Sequence, residues 1–130
     1  MSVTHQDFDK FSQSVSSSNA EFDWRNACSR SYYGAYHLAL SYAHICPDQN
    51  FNFKMGSHER LSERFKSHKS IKARSIATML ECMKKYRHMA DYEIADGFDR
   101  NFVLEQNATY KRLVQKLDEL AQSESQAKAV

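Results

Sequence analysis

Residues 24–44 read WRNACSRSYYGAYHLALSYAH. This stretch decides the fold because each face of the helix that it predicts has a distinct set of side chains. At the helical period one face is apolar enough to enter the core of a bundle: Trp24, Cys28, Ala35, Leu38, Ala39, Tyr42 and then Ile45. The opposite face carries Asn26, Arg30, Tyr33, His37 and His44. Lys and Glu, which cover most exposed helix faces, are absent from the stretch. We therefore predict a central helix with two partners, a hydrophobic core and a second, polar contact.

The composition is typical of one helical domain. The chain has 130 residues with one proline and three glycines, which leaves few places to turn and favours a few long helices. A formal net charge of +2 is nearly balanced, so it does not by itself indicate nucleic-acid binding, although a local basic patch is compatible with it. The three cysteines are odd in number and form no Cys-x-x-Cys pair, which predicts buried thiols in a reducing cytosol.

Membrane, metal and cofactor sites are disfavoured by the sequence. No apolar run has the length of a membrane span, and the polar, acidic N-terminus is unlike a signal peptide, so we expect a cytoplasmic protein without membrane contact. The Glu-x-x-His, His-x-x-x-His and Cys-x-x-Cys spacings of metal sites do not occur. Each glycine stands alone, so no phosphate-binding loop is present. We therefore expect no metal and no cofactor.

The helical period continues along the rest of the chain. We predict helices over residues 4–15, 23–45, 57–66, 71–93 and 101–121, with Thr4, Asp23 and Ser57 as N-caps. Residues 47–56 begin with proline and read as a loop, from which Phe51 and Phe53 can pack onto the bundle. The fold class is all-α, a four- to five-helix up-and-down bundle. It forms one domain over residues 1–121, followed by a flexible tail over 122–130.

The fourth predicted helix carries two apolar strips and one arginine among them. The main strip is Ile71, Ser75, Met79, Cys82, Tyr86 and Met89, and a second strip of Ile76, Leu80, Met83 and Ala90 widens it. Arg87 falls on the second strip, with Asp91 one turn later. A guanidinium among apolar side chains needs an acceptor, and Asp91 is the nearest one on the same helix.

Two segments resemble signatures of HEPN domains. Residues 25–37, RNACSRSYYGAYH, resemble the second-helix signature, which often reads Arg, Ser-Arg, Tyr-Tyr-Ala and then His. Residues 86–92, YRHMADY, are similar to the Arg-x-x-Ala-Asp-Tyr ending of one branch of small stand-alone HEPN proteins. The order of the two segments, and their positions on the second and fourth helices, also match the family.

The resemblance implies a HEPN-like bundle that is usually a homodimer. It also implies a link to RNA cleavage in toxin–antitoxin, phage-defence and RNA-processing systems. Active members resemble metal-independent ribonucleases built on Arg, four to six residues and then His. In this chain Tyr92 stands where that histidine is expected after Arg87. A tyrosine titrates near pH 10 and is a poor base at neutral pH, so the departure leaves nuclease activity open.

The candidate site can be interpreted in two ways. In the enzyme interpretation Arg30 and Arg87 hold the scissile phosphate, His37 transfers protons and Tyr92 donates a hydrogen bond. Asp91, Tyr33 and Asn26 then belong to the binding surface. In the structural interpretation, which the spacings favour, Arg87 and Asp91 form an ion pair in a helix or dimer interface. Arg30, Tyr33 and His37 then form a polar layer between the second and fourth helices, and Tyr92 packs its ring and exposes its hydroxyl.

The sequence leaves two hypotheses about function. The first is a HEPN protein of a toxin–antitoxin or phage-defence type system, a metal-independent ribonuclease that acts on RNA as a homodimer through its second and fourth helices. The alternative is a non-catalytic HEPN module, a dimerising or partner-binding adaptor for an antitoxin or a nucleotidyltransferase-like protein. The substitution at Tyr92 and the balanced charge favour the adaptor, whereas the polar face of the second helix favours the enzyme.

Overall fold

The computed structural model describes residues 3–15, 17–48 and 54–129, and this part of the chain is all-helical and without strands. Its helices are α1 (His5–Val15), α2 (Glu21–Ser41), α3 (Ser57–Lys66), α4 (Ile71–Tyr92) and α5 (Arg100–Ala129), with a 3-10 turn at Ala43–Ile45. The predicted all-α class is confirmed. Within these ranges no helix combines the length and the apolar character that a membrane span requires.

Helix α2 is the centre of the bundle. It packs against α1, α4 and α5, while α4 also packs against α3 and α5. The main core lies between these helices and includes Tyr32, Leu38, Phe65, Ile76, Leu80, Met83, Leu113, Leu117 and Leu120. A smaller apolar cluster of Ala27, Cys28, Ala90, Phe98 and Val103 joins the start of α2 to the end of α4. The predicted apolar face of residues 24–44 thus enters the core.

Gln106 of α5 ties three helices together. Its side chain is fully buried, and its Nε2 donates to the backbone oxygens of Cys28 in α2 at 3.2 Å and Met83 in α4 at 2.9 Å. Both carbonyls lie inside helices, so they accept this bond with their second lone pair. The amide therefore fixes how α5 is placed along the other two helices.

The predicted main strip of α4 is only partly buried, with Met79, Tyr86 and Met89 packed against the apolar clusters. The buried strip is the second one, with Ile76, Leu80, Met83 and Ala90, joined by Ala73 and Ala77. Ile71 is 77% exposed, and Cys82 is also exposed, which corrects the expectation that it is a buried thiol. The physical reason is that Ala73 and Ala77 have small side chains, which let neighbouring helices approach this side of α4 closely.

Of the three predicted N-caps, Thr4 agrees with the structure, whereas Asp23 and Ser57 do not. The Thr4 amide donates to the Asp7 carboxylate at 2.8 Å, as the predicted cap requires. Asp23, in contrast, is not the N-cap of α2, because α2 begins at Glu21 after Ala20. Asp23 instead accepts a hydrogen bond from the Ser18 hydroxyl at 2.6 Å. Gly56, not Ser57, is the N-cap residue of α3.

The far end of α5 corrects the predicted tail. Residues 122–129 continue the helix, whereas the sequence predicted that α5 ends at residue 121. Lys72 donates to the Ser123 hydroxyl at 2.9 Å, and His68 lies 3.3 Å from the Glu124 carboxylate. These two contacts place the last turns of α5 against the start of α4 and the turn before it. The predicted packing of Phe51 and Phe53 lies outside the described residues.

Candidate functional site

The ring of Tyr33 on α2 contacts two guanidiniums and one imidazole, which come from three helices. The guanidinium carbon of Arg30, one turn earlier on α2, lies 4.7 Å from the ring centroid. The guanidinium carbon of Arg87 on α4 lies 5.4 Å from the same centroid. The imidazole of His58, on the first turn of α3, meets the ring edge-on with centroids 6.0 Å apart. We call Arg30, Tyr32, Tyr33, Tyr36, His58 and Arg87 the Tyr33 cluster.

Arg87 is enclosed by aromatic rings. Its side chain is only 12% exposed, and its guanidinium also lies over the rings of Tyr32 at 5.7 Å and Tyr92 at 5.8 Å. One terminal nitrogen pairs with the Asp91 carboxylate at 3.6 Å, so the predicted pair forms. Among the described residues, the buried Arg87 Nε has no hydrogen-bond partner. A guanidinium with five N–H donors and one distant carboxylate keeps donors for a further anion.

The other predicted residues contact α4, α1 or both. Arg30 turns with Tyr33 toward Arg87, and Asp91 on α4 accepts a hydrogen bond from Ser29 of α2 at 3.0 Å. His37 instead contacts α1, because its ring stacks on Phe8 with centroids 5.5 Å apart. Arg30, Tyr33, Arg87 and Asp91 are thus brought together. The exposed His37 lies beside them, because Arg30 also contacts Phe8, with its guanidinium carbon 6.0 Å from the ring centroid.

Tyr92 and Asn26 occupy the margins of the site. Tyr92 is 64% exposed, and its ring contacts that of His88 with centroids 4.9 Å apart as well as Arg87. Asn26 is half-buried on α2, one turn before Arg30. Tyr92 therefore combines an exposed position with a ring contact to Arg87, as the packing interpretation predicts.

His58 is the site residue that the sequence analysis missed. Its Nδ1 lies 2.6 Å from the Tyr32 hydroxyl oxygen, and its ring lies 4.2 Å from that of Tyr36 between centroids. Burial lowers the pKa of His58 below its ordinary 6.5. The positive charges of Lys84 and Arg87 lower this pKa further, and so does His37. A half-buried imidazole next to Arg87 is therefore neutral at pH 7.

Tyr32 is the buried partner of His58. It is 2% exposed, and burial raises the pKa of its phenol well above the ordinary 10. The phenol is therefore protonated at any physiological pH, and its oxygen can both donate and accept a hydrogen bond. Tyr32 belongs to the main core, and the sequence analysis assigned it no role.

Arg25, which opens the 25–37 segment, has a structural position. Its guanidinium donates to the carbonyl oxygens of Met89 at 3.2 Å and Ala90 at 3.0 Å, in the last turn of α4. It also donates to the carbonyl oxygens of Glu93 and Asp96 in the following turn. The last carbonyls of a helix have no partner inside the helix, so Arg25 closes the end of α4 beside Asp91.

Comparisons of the chain with family models, with curated proteins and with solved structures give no match. The function of the Tyr33 cluster thus rests on its own chemistry. In the part of the chain that the structure describes, no three His, Cys, Asp or Glu side chains are grouped so that they could hold a metal ion. The groups present are two guanidiniums, a neutral imidazole and three phenols. Together they can bind an anion, stack on an aromatic base and move a proton.

Proposed function

We propose that this chain is a HEPN-type protein of a toxin–antitoxin or phage-defence type system that cleaves RNA as a homodimer without a metal ion. One observation carries the proposal: two guanidiniums and one imidazole, from three different helices, surround the single ring of Tyr33. The site is built by the folded bundle, so it is more than a spacing along one helix.

Phosphate and base recognition both have suitable groups here. Guanidiniums bind phosphate oxygens through parallel N–H donors, and those of Arg30 and Arg87 both lie at the ring of Tyr33. Tyrosine and histidine rings are surfaces on which unpaired bases stack, and Tyr33, Tyr36 and His58 supply three. Lys84 adds a further positive charge near His58. A single-stranded RNA segment is the ligand that uses all of these groups.

The first test is cleavage of single-stranded RNA by the purified protein in EDTA. We expect cleavage by the natural chain and a fall of about 100-fold or more in Arg87→Ala, because donors that stabilise transition-state charge contribute about that much. Arg112→Ala is the matched control, since Arg112 is an exposed arginine of α5 whose side chain bonds Thr109. Arg87→Lys keeps the charge and removes the planar donor pair, and we expect it to be intermediate.

Two results contradict the proposal. If the natural chain does not cleave RNA although circular dichroism shows that it is folded, the proposed nuclease function is wrong. If the Arg87→Ala and Arg112→Ala variants cleave RNA at the same rate, Arg87 does not contribute to cleavage. Sedimentation of the same samples tests the homodimer, which predicts twice the mass of one chain.

A second candidate is an adaptor that binds a partner protein. It is favoured by the large apolar side chains Phe22, Tyr92 and Ile94, which are largely exposed. Phe22 and Ile94 lie at one end of the bundle, since Glu21 and Arg25 of α2 both bond the turn after α4. Exposed apolar groups of this kind mark protein contacts. The adaptor would be supported if an antitoxin or a nucleotidyltransferase-like protein binds the natural chain but does not bind the variant that carries both Phe22→Ser and Ile94→Ser.

A further inference from the structure

The imidazole of His58 stands where a proton acceptor for RNA cleavage is needed, and the following inference rests on the proposed function. His58 and Arg87 contact the same two phenol rings, those of Tyr32 and Tyr33. A phosphate held by Arg87 would therefore lie within the same cluster as the imidazole. We propose that His58, and not His37, takes the proton of the ribose 2′-hydroxyl, and that Tyr32 positions its ring.

Tyr32 and Tyr36 together fix the orientation of the imidazole. The Tyr32 hydroxyl lies 2.6 Å from Nδ1, and the Tyr36 ring packs on the imidazole with centroids 4.2 Å apart. When Nδ1 carries the proton and donates it to the Tyr32 oxygen, Nε2 has a free lone pair. The hydrogen bond of one ring nitrogen thus determines the chemistry of the other. His58 as a whole is half-buried.

The surroundings of His58 keep it in the form that accepts a proton. The groups that act on it are Lys84 and Arg87 from α4 and His37 from α2, together with the phenols of Tyr32, Tyr33 and Tyr36. On α3 itself the adjacent Glu59 is exposed. Cations disfavour a protonated imidazole. The phosphate that binds Arg87 offsets part of this positive charge.

The proposed step balances without a further reagent. The 2′-O–H bond breaks and its proton moves to Nε2 of His58, while the 2′-oxygen forms a bond to phosphorus. The bond from phosphorus to the 5′-oxygen breaks, and the leaving oxygen takes a proton from water. The hydroxide that remains takes the proton back from His58. The products are a 2′,3′-cyclic phosphate and a 5′-hydroxyl, and Arg30 and Arg87 face the negative charge that develops on the phosphate oxygens.

The test compares two histidine variants of the full chain. His58→Gln and His37→Gln carry the same substitution on neighbouring imidazoles, and cleavage of a labelled RNA is measured in EDTA. We expect His58→Gln to lose about 100-fold or more in rate, the usual contribution of a positioned base, and His37→Gln to stay within about threefold of the natural chain. Binding of a 2′-deoxy analogue, which cannot be cleaved, should change less than about threefold in both.

The dependence of the rate on pH separates a proton acceptor from a structural residue. In the natural chain the rate should rise with pH along an acidic limb whose midpoint lies below 6.5, since only neutral His58 accepts the proton. An NMR titration of the His58 ring should have the same midpoint. In Tyr32→Phe the limb should move to lower pH, because the hydroxyl oxygen no longer accepts a bond from the protonated ring.

The outcomes distinguish this inference from the proposed function. If the natural chain cleaves RNA and His58→Gln cleaves as His37→Gln does, the inference is wrong and the proposed function stands. If the natural chain does not cleave, both are wrong. The inference is also wrong if the midpoint of the acidic limb differs from the midpoint of the His58 NMR titration. This comparison uses the natural chain alone, so it does not depend on the folding of a variant. If the acidic limb of Tyr32→Phe has the same midpoint as that of the natural chain, Tyr32 does not position His58.

Discussion

Three aromatic rings surround the guanidinium of Arg87, in addition to its carboxylate partner. The guanidinium lies within 6 Å of the centroids of Tyr32, Tyr33 and Tyr92, whereas the Asp91 oxygen is 3.6 Å from its nearest nitrogen. Aromatic faces attract a cation without using its N–H donors. A buried arginine held in this way keeps its hydrogen-bonding capacity for a ligand.

Single residues also differ sharply in the reactivity of their thiols. Burial raises the pKa of Cys28 to about 12 and that of Cys46 to about 11, and both thiols are buried, whereas Cys82 is exposed. Since the thiolate is the reactive form, we expect a maleimide at pH 7 to label one cysteine per folded chain and three after unfolding in urea. Mass spectrometry measures both numbers. Two fast sites in the folded chain, or a label on Cys28, would contradict the described packing.

The site was only partly predictable from single residues. Arg30 and Tyr33 share a helical face, and Arg87 and Asp91 are one turn apart, so local spacing brought each pair together. The sequence analysis did not identify His58 as a site residue because His58 belongs to α3, and nothing in the sequence relates its position to Tyr32 or Arg87. Tyr32 was placed on neither predicted face of α2, although its ring is buried and its hydroxyl lies 2.6 Å from His58 Nδ1.

At the scale of helices, α1 and α2 lie close together at Gly34. A Cβ on Gly34 would lie 3.0 Å from the Phe8 Cβ and 3.2 Å from the backbone oxygen of His5. Gly34→Ala gains about 1 kcal/mol of helix propensity, but forced overpacking costs about 1–3 kcal/mol. We therefore expect a net loss of about 1 kcal/mol in the free energy of unfolding, measured with urea.

The matched control for Gly34 is Gly97→Ala. No atom lies within 4 Å of a Cβ at Gly97, which follows α4 in an exposed turn. This substitution should leave the free energy of unfolding within about 0.5 kcal/mol of the natural value. If Gly34→Ala were as stable as Gly97→Ala, α1 would not be packed on α2 as tightly as described.

The helices themselves were predicted well wherever periodicity and breakers agree. Helix α3 has the predicted bounds, because Gly56 and the turn after Lys66 punctuate it clearly. The sequence did not decide which strip of α4 is the more buried, because both strips are apolar and only the packing of α2, α3 and α5 around α4 selects one. The end of α5 was placed too early, because contacts to Lys72 and His68 hold a polar segment that has no apolar stripe of its own.

At the scale of the whole molecule, His58 links stability to pH. Its pKa is lower in the folded chain than the ordinary 6.5, so the unfolded chain binds more protons between these two values. The His58 contribution to the free energy of unfolding is therefore complete above pH 6.5, and it is lost as the pH falls from 6.5 toward the folded pKa. Urea unfolding between pH 5 and 7.5 measures this. His58→Gln should flatten the slope, and an unchanged slope would contradict the described burial.

The Tyr33 cluster is a property of the complete bundle. Its members come from α2, α3 and α4, and Gln106 of α5 holds α2 and α4 together next to it. Loss of any of these helices separates the two guanidiniums or removes the imidazole. The site and the fold are therefore expected to be lost together in unfolding experiments.

The contact of Arg25 with the end of α4 also shapes the electric field around the site. A helix C-terminus carries roughly half a negative charge, which repels phosphate, and Arg87, Asp91 and Tyr92 all belong to the last turns of α4. The guanidinium of Arg25 lies on the carbonyls that carry this charge. It therefore offsets the macrodipole of α4 where a polyanion would approach. The opening arginine of the 25–37 segment thus lowers the repulsion that the end of α4 would exert on the RNA that we propose as the ligand.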